Sequence, residues 1–278
     1  MAVKGWLNLN GSLFDEKLPA LRADNRAFRY GDGLFETMKV VVGAIRLKEL
    51  HFSRLFSGME TLQIVLPGFI SEDIFTDEIS RTLRRNHISG PARVRLTVYR
   101  GDGGLYDFKS ASAGYVIQVW PISSSSLAMN EHGLRLGLFE DGRKSVDTFA
   151  NLKSNNYLLY AMGAIHARKN HFGDSLILNT HGRVCDTTVA NVFWVSGGTI
   201  FTPPLSEGCV AGVMRNYLIS RLPELSYTVM EKELHADELL EADEVFLTNA
   251  ISGLKWVGEF KNKKYTNTVS SKIFQLTI

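Results

Sequence analysis

Stretches of strand and helix periodicity follow one another along this chain without a regular β–α–β alternation, and that order constrains the fold more than any other feature. A doubly wound parallel sheet needs the alternation and an α+β arrangement does not, so the sequence predicts α+β. Residues Arg93-Val94-Arg95-Leu96-Thr97-Val98-Tyr99 alternate strictly and read as a strand with one polar face. Further strands are expected over 115–120, 134–139, 175–178, 191–195 and 244–248, with an opening hairpin turning at Asn10-Gly11 and a second one broken at Gly43. Apolar residues at 52, 55, 56, 59 and 62 predict a helix over 49–62, and Ser71 is the N-cap candidate of another over 71–86. Helices are also expected over 154–169, 210–222 and 236–241. The polar, proline-started run Pro121-Ile122-Ser123-Ser124-Ser125-Ser126 reads as a linker. It predicts a small domain over 1–120, a connection over 121–130 and a larger domain over 131–278.

The 278 residues are 45% hydrophobic, enough for a packed core and too many for disorder. Lys and Arg number 31 against 29 Asp and Glu, a net charge of +2 that gives no electrostatic grip on nucleic acid. No apolar run reaches the ~20 residues of a membrane helix. Two cysteines, Cys185 and Cys209, are too few for a disulfide framework and fit a reducing, cytoplasmic setting.

The missing motifs narrow the chemistry. There is no phosphate loop of the Walker kind, and Gly101-Asp102-Gly103-Gly104 lacks the third glycine of a dinucleotide fingerprint. No serine sits in a nucleophile elbow, and His166 and His171, five apart, do not share a helical face for a metal. What remains is a lysine, an acid and a glycine pair. Lys153 stands just before an apolar helical run, where a helix dipole disfavours its ammonium form and favours Schiff-base chemistry. Asp186 precedes small and hydroxyl residues that let a flat ligand lie against the backbone. Gly208 and Gly212 lead into a helix start of the kind that binds phosphate.

Taken in order, these pieces resemble the class IV pyridoxal-phosphate enzymes, which include branched-chain aminotransferases, D-amino-acid transaminases and aminodeoxychorismate lyases. The resemblance runs through Arg29-Tyr30-Gly31-Asp32-Gly33-Leu34-Phe35-Glu36-Thr37, His51-Phe52-Ser53-Arg54-Leu55, Lys153 with its flanks, and Asp186 to Phe193. It continues through Thr202-Pro203-Pro204, Gly212-Val213-Met214-Arg215 and Ala242 to Ala250, and so spans nearly the whole chain. It implies a two-domain, fold-type IV α+β enzyme whose larger domain has a mixed, barrel-like sheet, and pyridoxal 5'-phosphate as cofactor. Lys153 would form the Schiff base and move the substrate proton. Arg54, the backbone of Val213 and Met214, and Asn249 with Ala250 would hold the phosphate. Tyr157 would reach the phenolic oxygen, and Asp186 the ring nitrogen, with Thr187 and Thr188 helping to hold the acid. That acid is usually glutamate in this family, so the side chain here is one methylene shorter and implies a deeper ring or a longer contact.

Lys153-Ser154-Asn155-Asn156 resembles the D-amino-acid transaminases, whose usual carboxylate trap is replaced here by Leu105, Tyr106 and Asp107. Cations for a substrate carboxylate would then come from Arg93 and Arg95, two apart on one strand face, and from Arg29 beside Tyr30. In this family the segment holding Arg29 and Tyr30 reaches the site of the opposite subunit, which implies a homodimer. The expected activity is transamination between D-amino acids and 2-oxo acids. Aminodeoxychorismate lyase chemistry, branched-chain transamination and a binding protein that has lost catalysis are the alternatives.

Overall fold

The computed structural model describes residues 5–104 and 113–277 and is a mixed α+β chain. It divides into two compact units, Met1–Ser124 with Lys153–Asn156, and Ser125–Leu152 with Tyr157–Ile278. Leu105, Tyr106 and Asp107 lie outside the described residues.

The first unit opens with β1 (Trp6–Leu9) and β2 (Ser12–Asp15), joined at Asn10-Gly11, where both residues take positive φ as a tight hairpin requires. A short helix α1 (Arg26–Tyr30), N-capped by Asn25, leads into β3 (Gly33–Val41) and β4 (Ala44–Ile45). Helices α2 (Lys48–Thr61) and α3 (Glu72–Arg85) follow, the second capped by Ser71 through the Ile74 N–H. Strands β5 (Ala92–Tyr99) and β6 (Gly114–Pro121) complete an antiparallel sheet in the order β2-β1-β6-β5-β3-β4. One face, with Met38, Val94, Leu96 and Ile117, is fully buried under the helices, where Phe52 and Phe75 stack and Tyr115 meets Phe75 edge-on. The strand alternation leaves Arg93 exposed and Arg95 half-buried on the other face, opposite Lys39 and Thr37 of β3.

The second unit begins with β7 (Leu134–Lys144), α4 (Leu158–Lys169), β8 (Asp174–Asn179) and β9 (Val184–Thr187). Then come β10 (Asn191–Ser196), β11 (Thr199–Thr202), α5 (Val213–Glu224) and β12 (Val229–Glu231). It closes with β13 (Glu244–Asn249), β14 (Gly253–Phe260), β15 (Lys263–Lys264) and α6 (Thr268–Thr277). The nine strands form one mixed sheet, ordered β12-β11-β10-β13-β14-β7-β8-β9 with β15 beside β14. Its pairs β11–β12, β14–β7 and β7–β8 are parallel. Leu176, Val192, Val245, Leu254 and Val257 fill its core.

Two helix starts differ from their expected places. The helix predicted from 154 begins at Leu158, because Lys153–Asn156 is occupied elsewhere: the Phe35 N–H donates to the Lys153 carbonyl, and the Asn155 N–H to the Gly33 carbonyl. Gly33 permits this approach, since a Cβ there would stand 2.5 Å from the Val98 carbonyl oxygen and 2.7 Å from Asn155 Nδ2. The helix predicted from 210 begins at Val213. The segment expected as a helix over 236–241 is a 3₁₀ turn.

Candidate active site

In the first unit the candidate residues stand on both faces of β3. Glu36 points to the helix side, where Arg54 of α2 clamps it side-on, Nε to Oε1 at 2.8 Å and Nη2 to Oε2 at 2.6 Å. His51 Nδ1 lies 2.6 Å from the same carboxylate. Burial alone would push the Glu36 carboxyl up, but the Arg54 guanidinium and His51 together outweigh it and hold it at about 2. An ionised carboxylate only accepts, so Nδ1 is the His51 nitrogen that donates, and its buried Nε2 has no partner among the described residues. Neither Glu36 nor His51 was assigned a role from sequence, although both lie in the quoted motifs.

Phe35 points to the opposite face of β3. The Arg95 guanidinium stands 3.7 Å from its ring centroid, and Lys153 Nζ 4.5 Å from the same centroid. Lys153 therefore sits in an extended segment beside β3 and outside the first turn of α4, so the helix-dipole argument for a lowered lysine pKa does not apply. Arg93 packs over Trp120, its guanidinium 5.2 Å from a ring centroid. Arg29 is exposed at the end of α1, and Tyr30 is half-buried under the Arg26 guanidinium.

In the second unit Asp186 is 2% exposed and accepts four hydrogen bonds. Asn191 Nδ2 donates to Oδ1 at 2.9 Å. Tyr160 Oη at 2.8 Å, the Val210 N–H at 2.9 Å and Lys144 Nζ at 3.3 Å all converge on Oδ2. Burial pushes the carboxyl above its ordinary value, and Lys144, the Val210 N–H and Tyr160 oppose that shift without cancelling it. Thr187 and Thr188, expected to help, are engaged elsewhere, with the Ala190 carbonyl and with Asp174. Tyr160 was missed from sequence, though it stands three residues beyond Tyr157, with the two rings tilted against each other at 4.6 Å between centroids. Lys144 left no signal, because an irregularity in β7 between Phe139 and Lys144 breaks the alternation and turns the lysine inward.

Hydrogen-bond donors gather at the start of α5. Gly212 is the N-cap and no side chain caps the helix, so its first N–H groups lack acceptors within it. A Cβ on Gly212 would meet Asn191 Oδ1 at 1.9 Å, so glycine is required for this helix end to approach the residue that holds Asp186. Thr248 is directly opposite Asn191 across the β10–β13 pair and shares its face, and its buried hydroxyl has no partner among the described residues. Val213 and Met214 are the first two residues of α5. Asn249 Oδ1 accepts from the Ile251 and Ser252 N–H groups and shapes the turn through Ala250.

The family model of the class IV aminotransferases matches residues 33–259. An aminodeoxychorismate lyase of Vibrio harveyi is 32% identical over 83% of this chain and 83% of its own. A putative branched-chain-amino-acid aminotransferase of Methanocaldococcus jannaschii is 28% identical over 95% of this chain and 92% of its own. Among solved structures, a branched-chain aminotransferase of Thermoproteus uzoniensis superposes with a TM-score of 0.88 at 23% identity, covering 98% of this chain and 93% of that one. The shared fold is fold type IV, in which the larger sheet curls into half a barrel. The cofactor of this family is pyridoxal phosphate. The residues present fit it: the uncapped N-terminus of α5 and the orphaned Thr248 hydroxyl are donors suited to a phosphate, and Asp186 is an acceptor suited to a protonated ring nitrogen. On this match and this fold, the chain belongs to the class IV aminotransferase family.

Proposed function

We propose that this chain is a transaminase that moves an amino group between amino acids and 2-oxo acids, with D-amino acids its first substrates. The observation that carries the reading is the shared ring of Phe35, with Arg95 on it beside Lys153. In an α-amino acid the carboxylate and the amino group hang from one carbon, so a carboxylate-binding cation must stand close to the lysine that handles that carbon's proton. When bound, the cofactor's ring draws electrons from the deprotonated substrate carbon. Lys153 holds and returns the proton at Nζ. Arg95, with Arg93 on the same strand face, grips the carboxylate through charge-assisted hydrogen bonds. Arg54, the Val213 and Met214 N–H groups, and the Asn249–Ala250 turn serve the phosphate, with the Thr248 hydroxyl as an added donor. Tyr157 serves the phenolic oxygen and Asp186 the ring nitrogen. The preference for D-amino acids rests on the Lys153-Ser154-Asn155-Asn156 run.

The active form is a homodimer in which Arg29 and Tyr30 complete the partner subunit's site. The exposed apolar face of α4, with Leu158, Met162 and Ile165, supports burial against a second copy. Two buried, unbridged cysteines support a cytoplasmic setting. The protein is to be incubated with D- and L-amino acids while the cofactor spectrum is followed. Conversion by D-amino acids is expected in the wild type, with cofactor retained and turnover lost in Lys153→Ala. Borohydride fixation of the cofactor on any other lysine rejects the assignment. The 32% identity to an aminodeoxychorismate lyase favours one second reading. Pyruvate release from aminodeoxychorismate, with no response to any D-amino acid, would establish it in place of the first.

A further inference from the structure

The carboxylate of Asp186 is shared unevenly. Three donors meet at Oδ2, from Tyr160, Val210 and Lys144, while Oδ1 takes one, from Asn191. Asn191 has no second hydrogen to offer, because its Nδ2 also donates to the Val210 carbonyl. Each carboxylate oxygen has two lone pairs, so Oδ2 is saturated by its three donors and Oδ1, with one, has a lone pair left. Lys144 reaches this place through a departure from regular strand geometry, and its side chain is 9% exposed, with the ammonium 5.1 Å from the Tyr160 ring centroid.

We propose that Lys144 is a positioning residue of the cofactor site, one that pins Oδ2 of Asp186 and so presents Oδ1 to the ring nitrogen. The proposal rests on the reading of Asp186 as the ring-nitrogen partner. Its physical basis is that a shorter acid has little freedom to find its own contact, so its orientation must come from its neighbours. The ammonium also serves a purpose the neutral donors cannot. Burial works against the charged carboxylate, and the other titratable groups beside it add no positive charge. Tyr160 and Cys185 are pushed well above their ordinary values by burial, and Cys209 up to about 12, so all three stay neutral at pH 7. Without the lysine, the charge that opposes the burial of Asp186 is gone, and Oδ2 loses one of its three donors.

The test compares pyridoxal phosphate with its 1-deaza analogue, in which the ring nitrogen is replaced by carbon. Each is titrated into stripped enzyme, and a second readout takes the ¹⁵N shift of ring-labelled cofactor in the reconstituted holoenzyme. Wild type should prefer the natural cofactor by about tenfold or more, the worth of one charged hydrogen bond, and should show a protonated ring nitrogen. Lys144→Met should lose most of that preference and shift the nitrogen toward its neutral position, while Lys144→Arg restores both. Should Lys144→Met fail to fold, Lys144→Gln, which keeps a donor without the charge, must show the same loss. A wild-type preference and a protonated nitrogen surviving in Lys144→Met and Lys144→Gln would overturn the proposal alone. No preference in the wild type, matched by Asp186→Asn, would overturn the ring-nitrogen reading and the proposal with it.

Discussion

Glu36 in the first unit and Asp186 in the second are both fully buried carboxylates, each with one strong cation beside it, yet their acidities move in opposite directions. The difference lies in how the cation is presented. Arg54 grips both oxygens of Glu36 along its planar fork, and His51 adds a third close contact. Asp186 meets Lys144 at one oxygen only, at 3.3 Å, and is otherwise surrounded by neutral donors. A buried acid clamped on both oxygens is committed to one charge and one orientation. An acid held on one side keeps a second oxygen in reserve, at the expense of an ionised form that is less secure.

The sharpest way to break this comparison is to neutralise each acid in turn. Glu36→Gln strands a largely buried guanidinium, and we expect it to remove about 3–5 kcal/mol of unfolding free energy in urea titrations. Asp186→Asn should remove less, about 1–3 kcal/mol, because the ammonium it leaves behind keeps the Tyr160 ring. Equal losses would mean that the two sites are held alike.

Acid titration separates the pair by sign. Glu36 is depressed when folded, so it contributes stability above its unfolded value of 4.5, and that contribution disappears as pH falls toward about 2. The shift corresponds to about 3 kcal/mol, and Glu36→Gln should flatten the acid limb of a stability–pH curve by an amount of that order. Asp186 is raised when folded, so it favours the folded state at low pH, and this contribution is lost as pH rises above 3.8. Asp186→Asn should therefore steepen the rise of stability with pH just above 3.8, and an unchanged slope there would contradict the direction given for this acid. The smallest effect is expected for Tyr160→Phe, which removes one of three donors from Oδ2 and should lower stability by about 1 kcal/mol in the same assay.

Much of the secondary structure was legible because it is written locally. The Asn10-Gly11 turn, the Ser71 cap and the alternation through Arg93 and Arg95 each depend on residues a few positions apart. The ordered motifs that resemble the family led to Arg54, Lys153 and Asp186. What surrounds these residues was not legible, because it depends on pairing between distant segments. Glu36 meets Arg54 only when α2 lies on β3, and Lys144 reaches Asp186 only through an irregular strand. The unwinding of the expected first turn of α4 has the same origin, since a hydrogen-bonded place beside β3 outcompetes the local helical preference of 154–157.

That place beside β3 also sets an order of assembly. Every strand of the first sheet ends by Pro121, whereas the segment that pairs with Gly33 and Phe35 begins at Lys153. Such long-range pairings form late, because the loop between them must close before any contact rewards it. A chain emerging from the ribosome amino end first has made the whole of that sheet before Lys153 is synthesised. The lysine is thus the final piece delivered to its own unit, and a nascent chain halted within 125–152 would hold the sequence of every strand of that sheet without it.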